Sequence, residues 1–120
     1  MAIVLDKSRP ICPQIEEYLC TKIANGEYKS GDKLISVREL AAMAVVNPNT
    51  VQKAYEGLEA KGLLRSVRGS GWFIGESSDK AKEIVNGIIE KETACYKRKM
   101  EELGLNTEEI INLIRSGDNE

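Results

Sequence analysis

Two short stretches of this chain carry side chains suited to gripping phosphates and reading base edges. In Asn47-Pro48-Asn49-Thr50-Val51-Gln52-Lys53, amides, a hydroxyl and an ammonium gather at what reads as the start of a helix. The first turn of such a helix is the part that enters a major groove. Short polar groups there reach bases or phosphates, and free backbone N–H groups favour phosphate. Lys53 suits a phosphate better than a base. Arg68-Gly69-Ser70-Gly71 reads as a tight basic turn between two apolar segments. Its guanidinium can enter a minor groove or clamp a backbone, and Gly69 lets the chain come close. Arg38 can bridge guanine O6 and N7. Each residue also has a plainer reading. Arg38 can pair with Glu39 or Glu56, and Asn47 and Asn49 can be helix caps. Lys53 can lie on a solvated face, Arg68 in an exposed loop, and Arg65 on the water side of a strand.

Catalytic chemistry has little to work with. The chain has no His, no acid pair at useful spacing and no nucleophile beside a base, so an enzyme is not expected. Arg68-Gly69-Ser70-Gly71 is too short for a phosphate-binding loop and opens no helix. Cys12, Cys20 and Cys95 are odd in number and unpaired in spacing, which makes a poor zinc site. They read as small buried hydrophobes, and nothing basic or capping sits consistently beside them to make a redox sensor. No metal and no cofactor are expected.

The elements that must hold these groups follow from apolar spacing. Pro10 and Pro13 bracket the lead-in to a first helix with Ile15, Tyr18, Leu19 and Ile23 on its inner side, after an extended segment 1–10. Asn25-Gly26 stops it, and residues 28–33 read as a turn. Ser36 and Glu39 make a capping box for a short second helix whose inner side is Val37, Leu40 and Ala41. A turn from Met43 to Val46 leads to Asn47, which caps a third helix with Pro48 at its first position. Val51, Ala54, Tyr55 and Leu58 face its core, and Lys61-Gly62 ends it. Residues 63–67 and 72–74 form a hairpin around Arg68-Gly69-Ser70-Gly71, with Trp72 and Phe73 assigned to core packing. Ser78 or Asp79 then caps a long helix, ended by Gly104, and Thr107 opens a last one. The expected fold is α+β, mostly α: a winged helix-turn-helix of three helices and a β-hairpin wing, followed by two C-terminal helices.

At 120 residues and 42% hydrophobic content, the chain supports one modest core plus an appendage. Aromatic content of 5% argues against a base-stacking sheet. No apolar run spans a bilayer, and the N-terminus lacks the pattern of a signal peptide, so a cytoplasmic protein with no membrane partner is expected. Net charge is −2, but it is unevenly spread: residues 1–75 carry +2 and residues 76–120 carry −4. Between residues 33 and 71 six basic residues face three acidic ones, and phosphate contact needs local rather than total positive charge.

The order of motifs resembles the DNA-binding domain of GntR-type bacterial transcriptional regulators. The resemblance rests on Gly31-Asp32-Lys33-Leu34, Ser36-Val37-Arg38-Glu39-Leu40-Ala41, residues 46–55, Leu58-Glu59-Ala60-Lys61-Gly62-Leu63 and Arg68-Gly69-Ser70-Gly71. It covers residues 10–75. The short helical remainder resembles the YtrA-type subgroup, whose tails imply dimerisation and whose members often repress transporter operons. One departure is Ile35, where the family usually has Pro before the capping Ser.

The domains expected are 1–76 for DNA binding and 77–120 for a helical dimerisation tail. The residues expected at DNA are Ser36, Arg38, Asn47, Asn49, Thr50, Gln52, Lys53, Arg65, Arg68 and Gly69. Those expected to pair two copies are Ile84, Val85, Ile88, Ile89, Tyr96, Met100, Leu103, Ile110, Ile111, Leu113 and Ile114. The function implied is a homodimeric repressor reading an inverted repeat in double-stranded DNA. A small-molecule effector would bind between the tail helices or against the DNA-binding domain. The competing reading is a winged-helix protein-interaction scaffold that does not bind DNA.

Overall fold

The N-terminal helices form where apolar spacing places them, and each stops at a residue chosen for it. In a computed structural model of the chain, which describes residues 3–76 and 78–117, α1 spans Ile11–Ala24 and buries Ile15, Leu19, Cys20 and Ile23. Asn25 and then Gly26, at φ 85°, close it. α2 (Val37–Ala44) starts from Ser36, whose Oγ accepts the Glu39 N–H at 3.1 Å and donates to Glu39 Oε1 at 3.0 Å. The capping box thus forms with its return arm on the hydroxyl instead of the backbone N–H. α3 (Pro48–Ala60) starts from Asn47, whose Oδ1 accepts the Asn49 N–H at 2.8 Å. Val51, Ala54, Tyr55 and Leu58 are all buried, as their spacing requires.

The turn between α2 and α3 is shorter than the expected run from Met43 to Val46. Met43 and Ala44 stay helical, and Val45 alone reverses the chain in the left-handed conformation, φ 56° and ψ 55°. A β-branched residue is strained there, by about 1–2 kcal/mol. Lys7 braces the corner: its Nζ donates to the carbonyl oxygens of Ala44 at 3.2 Å and Val45 at 2.5 Å. These are acceptors that a helix end leaves unsatisfied. The lead-in is therefore not simply extended. The Asp6 carboxylate accepts the Ser8 N–H and hydroxyl at 3.0 and 2.6 Å, turning residues 6–9 so that Lys7 reaches α2.

β1 (Leu64–Val67) and β2 (Gly71–Ile74) make an antiparallel hairpin with Leu64 opposite Ile74 and Val67 opposite Gly71. Gly71 belongs to β2, so the loop is only Arg68-Gly69-Ser70, with Gly69 at φ 81°. Residues 31–33, expected as part of a turn, pair together with Leu34 along the other edge of β2. The core lies between the three helices and the inner face of this sheet. Tyr55 is its largest fully buried side chain, donating its hydroxyl to Ile35 O at 2.8 Å and meeting Trp72 edge-on at 5.4 Å. Phe73, expected in this core, is half-buried outside it, because strand alternation turns it to the other face.

Of the three cysteines, all free, only Cys20 is buried as expected; Cys12 and Cys95 are half-exposed. Burial pushes the Cys20 thiol up to about 11 and raises that of Cys12, so both are poor thiolates.

The chain divides into two compact units, Met1–Val85 and Asn86–Glu120. The first includes the opening turns of α4 (Ser78–Glu102), because Ala81 is fully buried there and Ile84 and Val85 pack on the core. Ser78 and Asp79, expected as caps, lie inside the first turn of α4; Ser77, and with it the expected junction between 76 and 77, lies outside the described residues. In the second unit the turn after α4 is closed by Gly104, φ 99°, with the Leu105 N–H donating to Met100 O at 3.1 Å. α5 (Thr107–Gly117) is capped by Asn106. Asn106 Oδ1 accepts the Glu109 N–H at 2.9 Å, and Glu109 Oε1 accepts the Asn106 N–H at 3.0 Å. Among the described residues no helix is long and apolar enough to cross a membrane.

Candidate nucleic-acid interface

The helical period that buries Val51, Ala54, Tyr55 and Leu58 turns the intervening polar residues of α3 outward. Asn49 and Lys53 are exposed, and Thr50 and Gln52 are half-exposed. None of these four side chains has a hydrogen bond or ion pair among the described residues. Asn47 differs, since its side-chain oxygen is spent on the cap. The backbone also departs from expectation. The Asn49 N–H goes to the cap, the Thr50 N–H to Asn47 O at 3.0 Å, and Pro48 has none to offer. The first turn of α3 therefore presents side chains rather than free amides, and anion contact there must come from Thr50, Asn49 and Lys53.

Arg38 projects from the first turn of α2, exposed, and makes no ion pair with Glu39 or Glu56. The plainer reading of Arg38 as a surface ion pair thus has no counterpart here. Ser36, beside it, is occupied by the capping box. Arg65, Arg68 and Gly69 are all exposed on the hairpin, and neither arginine has a polar partner among the described residues.

One residue to which the sequence reading gave no role at the site connects the two halves of this surface. Glu59, near the end of α3, accepts the Ser66 N–H at 3.0 Å and the Ser66 hydroxyl at 2.7 Å through Oε2. The Ser66 hydroxyl and then its N–H hold the Glu59 carboxyl below its ordinary value. The carboxylate ties β1 to α3 and fixes the hairpin against the helix. No local pattern signals a contact between residues on different elements.

The tail unit presents a different surface. Ile89, Tyr96, Leu103, Ile111, Leu113 and Ile114 are exposed, Leu103 by 76%. Ile88 and Met100 are half-buried, whereas Ile110 is buried at 5% exposure and so is withdrawn from any outer face. Among the described residues no cluster of metal-ligating side chains occurs.

Comparison with known proteins bears on this arrangement. Residues 13–74 match the family described as bacterial regulatory proteins, gntR family. The chain is 46% identical over 71 residues to the HTH-type transcriptional repressor YtrA of Bacillus subtilis (strain 168), covering 59% of this chain and 55% of that one. The structure of a GntR family transcriptional regulator from Listeria monocytogenes superposes with TM-score 0.79 at 40% identity, over 93% of this chain and 98% of that one. The AraR(DBD) in complex with operator ORX1 superposes with TM-score 0.60 at 29% identity, over 62% of this chain and 96% of that one.

Proposed function

The chain belongs to the GntR family of bacterial regulatory proteins and is a DNA-binding transcriptional regulator; we propose that it acts as a homodimeric repressor on an inverted-repeat operator. Residues 1–76 read the DNA and residues 77–120 pair two copies. The single observation that carries this is the set of exposed and half-exposed polar and cationic side chains on α3, α2 and the wing that have no hydrogen bond or ion pair among the described residues. A group held out in solvent without a partner contributes little to stability. The same group is well placed to meet phosphates and base edges.

In this reading Thr50, Gln52 and Asn49 enter the major groove, Arg38 reaches a guanine or a nearby phosphate, and Lys53 meets the backbone. Arg65 contacts the backbone, and Arg68, with Gly69 beside it, enters the minor groove. Ser36 and Asn47 act by fixing the helix starts. Pairing uses the exposed tail residues Ile89, Tyr96, Leu103, Ile111, Leu113 and Ile114 with Ile88 and Met100, which sets two reading heads about one helical turn apart. Repression is by occlusion of a promoter, and YtrA, named a repressor, supports that sign. A transporter operon is the target the YtrA-type resemblance suggests. An effector would fit the open cleft of about 380 Å³ lined by Ile3, Val4, Gln14 and Tyr18.

The test is selection of bound duplexes from a random pool by the whole chain at near-physiological salt, with Arg38→Ala alongside. Enrichment of an inverted repeat by the parent, lost in the variant, is the expected result. A folded dimer that enriches nothing, with or without cell metabolites, would favour the scaffold reading.

A further inference from the structure

The segment leading into α2 brings a charge to the wing from a distant part of the sequence. The Gly31 N–H donates to Ile74 O at 2.9 Å, the Ile74 N–H to Asp32 O at 2.8 Å and the Leu34 N–H to Trp72 O at 2.8 Å. Residues 31–34 therefore run along the edge of β2 with Lys33 opposite Phe73, while β1 runs along the other edge with Arg65 opposite Phe73. Residues directly opposite one another share a face of the sheet. Arg65, Phe73 and Lys33 thus form one row on the face turned away from the core, and Leu64 and Ile74 are buried on the other.

Lys33 does not stay in that row. Its Cε lies 3.5 Å from the point where a Cβ on Gly71 would stand. Gly71 directly follows Arg68-Gly69-Ser70, so the ammonium is carried toward the wing tip. The half-buried Phe73 stands opposite Lys33, and long cationic side chains settle on apolar surface while their heads stay wet. No carboxylate neutralises the ammonium: Lys33 has no ion pair among the described residues. Asp32 Oδ2 accepts the Lys29 N–H at 2.9 Å, and Glu59 Oε2 accepts from Ser66.

We propose that Lys33 is a further DNA contact, its ammonium meeting a phosphate beside the wing tip, so that the wing grips the backbone with cations from two separate segments. This rests on the DNA-binding reading above and adds to it a residue outside the helix-turn-helix and outside the hairpin. A lysine ammonium is a point charge suited to phosphate and indifferent to base sequence. Its removal must weaken binding evenly on all duplexes and reduce the salt dependence.

The experiment titrates the whole protein against a duplex enriched from the random pool and against a scrambled duplex, over a salt series, by fluorescence anisotropy. Lys33→Met keeps the stem and removes the charge, and Lys33→Arg keeps the charge. An unchanged urea midpoint, followed through Trp72, shows that each variant is folded. The expected result for Lys33→Met is a loss of about 3- to 10-fold on both duplexes and a log K against log salt slope shallower by about 0.9, the yield of one phosphate contact. Lys33→Arg restores both. A parent that binds with a steep slope, and a Met variant with the same slope, overturns the role of Lys33 while leaving the DNA reading intact. A loss confined to the enriched duplex overturns the phosphate assignment. A parent with no salt-sensitive binding overturns the DNA reading and this inference with it.

Discussion

The unit Met1–Val85 and the unit Asn86–Glu120 use apolar residues in opposite ways. In the first, Ile15, Leu19, Leu40, Val51, Tyr55, Leu58, Leu63 and Ile74 are each at most 2% exposed and form one cluster. In the second, Ile110 is the one buried hydrophobic side chain among the described residues, while Leu103, Leu113 and Ile114 are each more than half exposed. The two regions look alike in sequence, since both carry apolar residues at helical spacing. The difference lies in what is available to cover them. Three helices and a sheet enclose one another, whereas two helices cannot enclose both of their own stripes. The first unit encloses its own core, and the second leaves apolar surface uncovered, which is the surface the proposed pairing would use.

That contrast can be broken most strongly from the core side. Tyr55→Ala removes a fully buried ring, its hydrogen bond to Ile35 O and its edge contact with Trp72, and should cost about 3–5 kcal/mol. Urea unfolding followed through Trp72, the single tryptophan, checks this. A loss under about 1 kcal/mol would mean that the cluster is not the core it appears by burial. The next effect lies in the tail. Ile114→Glu places a charge on the proposed pairing face and should weaken dimerisation by about 2–4 kcal/mol, or roughly 30- to 1,000-fold. Sedimentation would show monomer, and the Trp72 melting midpoint would lose its dependence on protein concentration. A variant as dimeric as the parent would move the interface elsewhere. The smallest effect sharpens the comparison from within the well-packed unit. Val45→Gly relieves the left-handed valine at the turn and should raise stability by about 1 kcal/mol, read as a higher urea midpoint. A lower midpoint would show that the exposed valine, rather than its backbone, matters there.

Legibility followed the range of the interactions. The caps at Ser36 and Asn47, the stop at Asn25-Gly26 and the buried stripe of α3 depend on residues within one or two turns of each other, so spacing alone reveals them. The pairing of residues 31–34 with β2, the brace from Lys7 to Ala44 and Val45, and the tie from Glu59 to Ser66 join separate elements. Phe73 shows the same limit at the finest scale, because a shift of one residue in a strand exchanges its two faces. At the candidate site, sequence identified which side chains are of the right kind. It could not show that the first-turn amides of α3 are already used, since that depends on how the Asn47 side chain is turned.

By itself, then, the sequence determined the elements, their order, the inner side of α1, α2 and α3 and the family, because these rest on local propensity, periodicity and short motifs in a fixed succession. Only the tertiary structure decided which polar groups are left without partners and where distant charges meet. It set Lys33 toward the tip that carries Arg68, Glu59 against Ser66 and Lys7 against a strained valine. A side chain's partner is fixed by distances in space, and those exist only once helices and strands have closed on a common core.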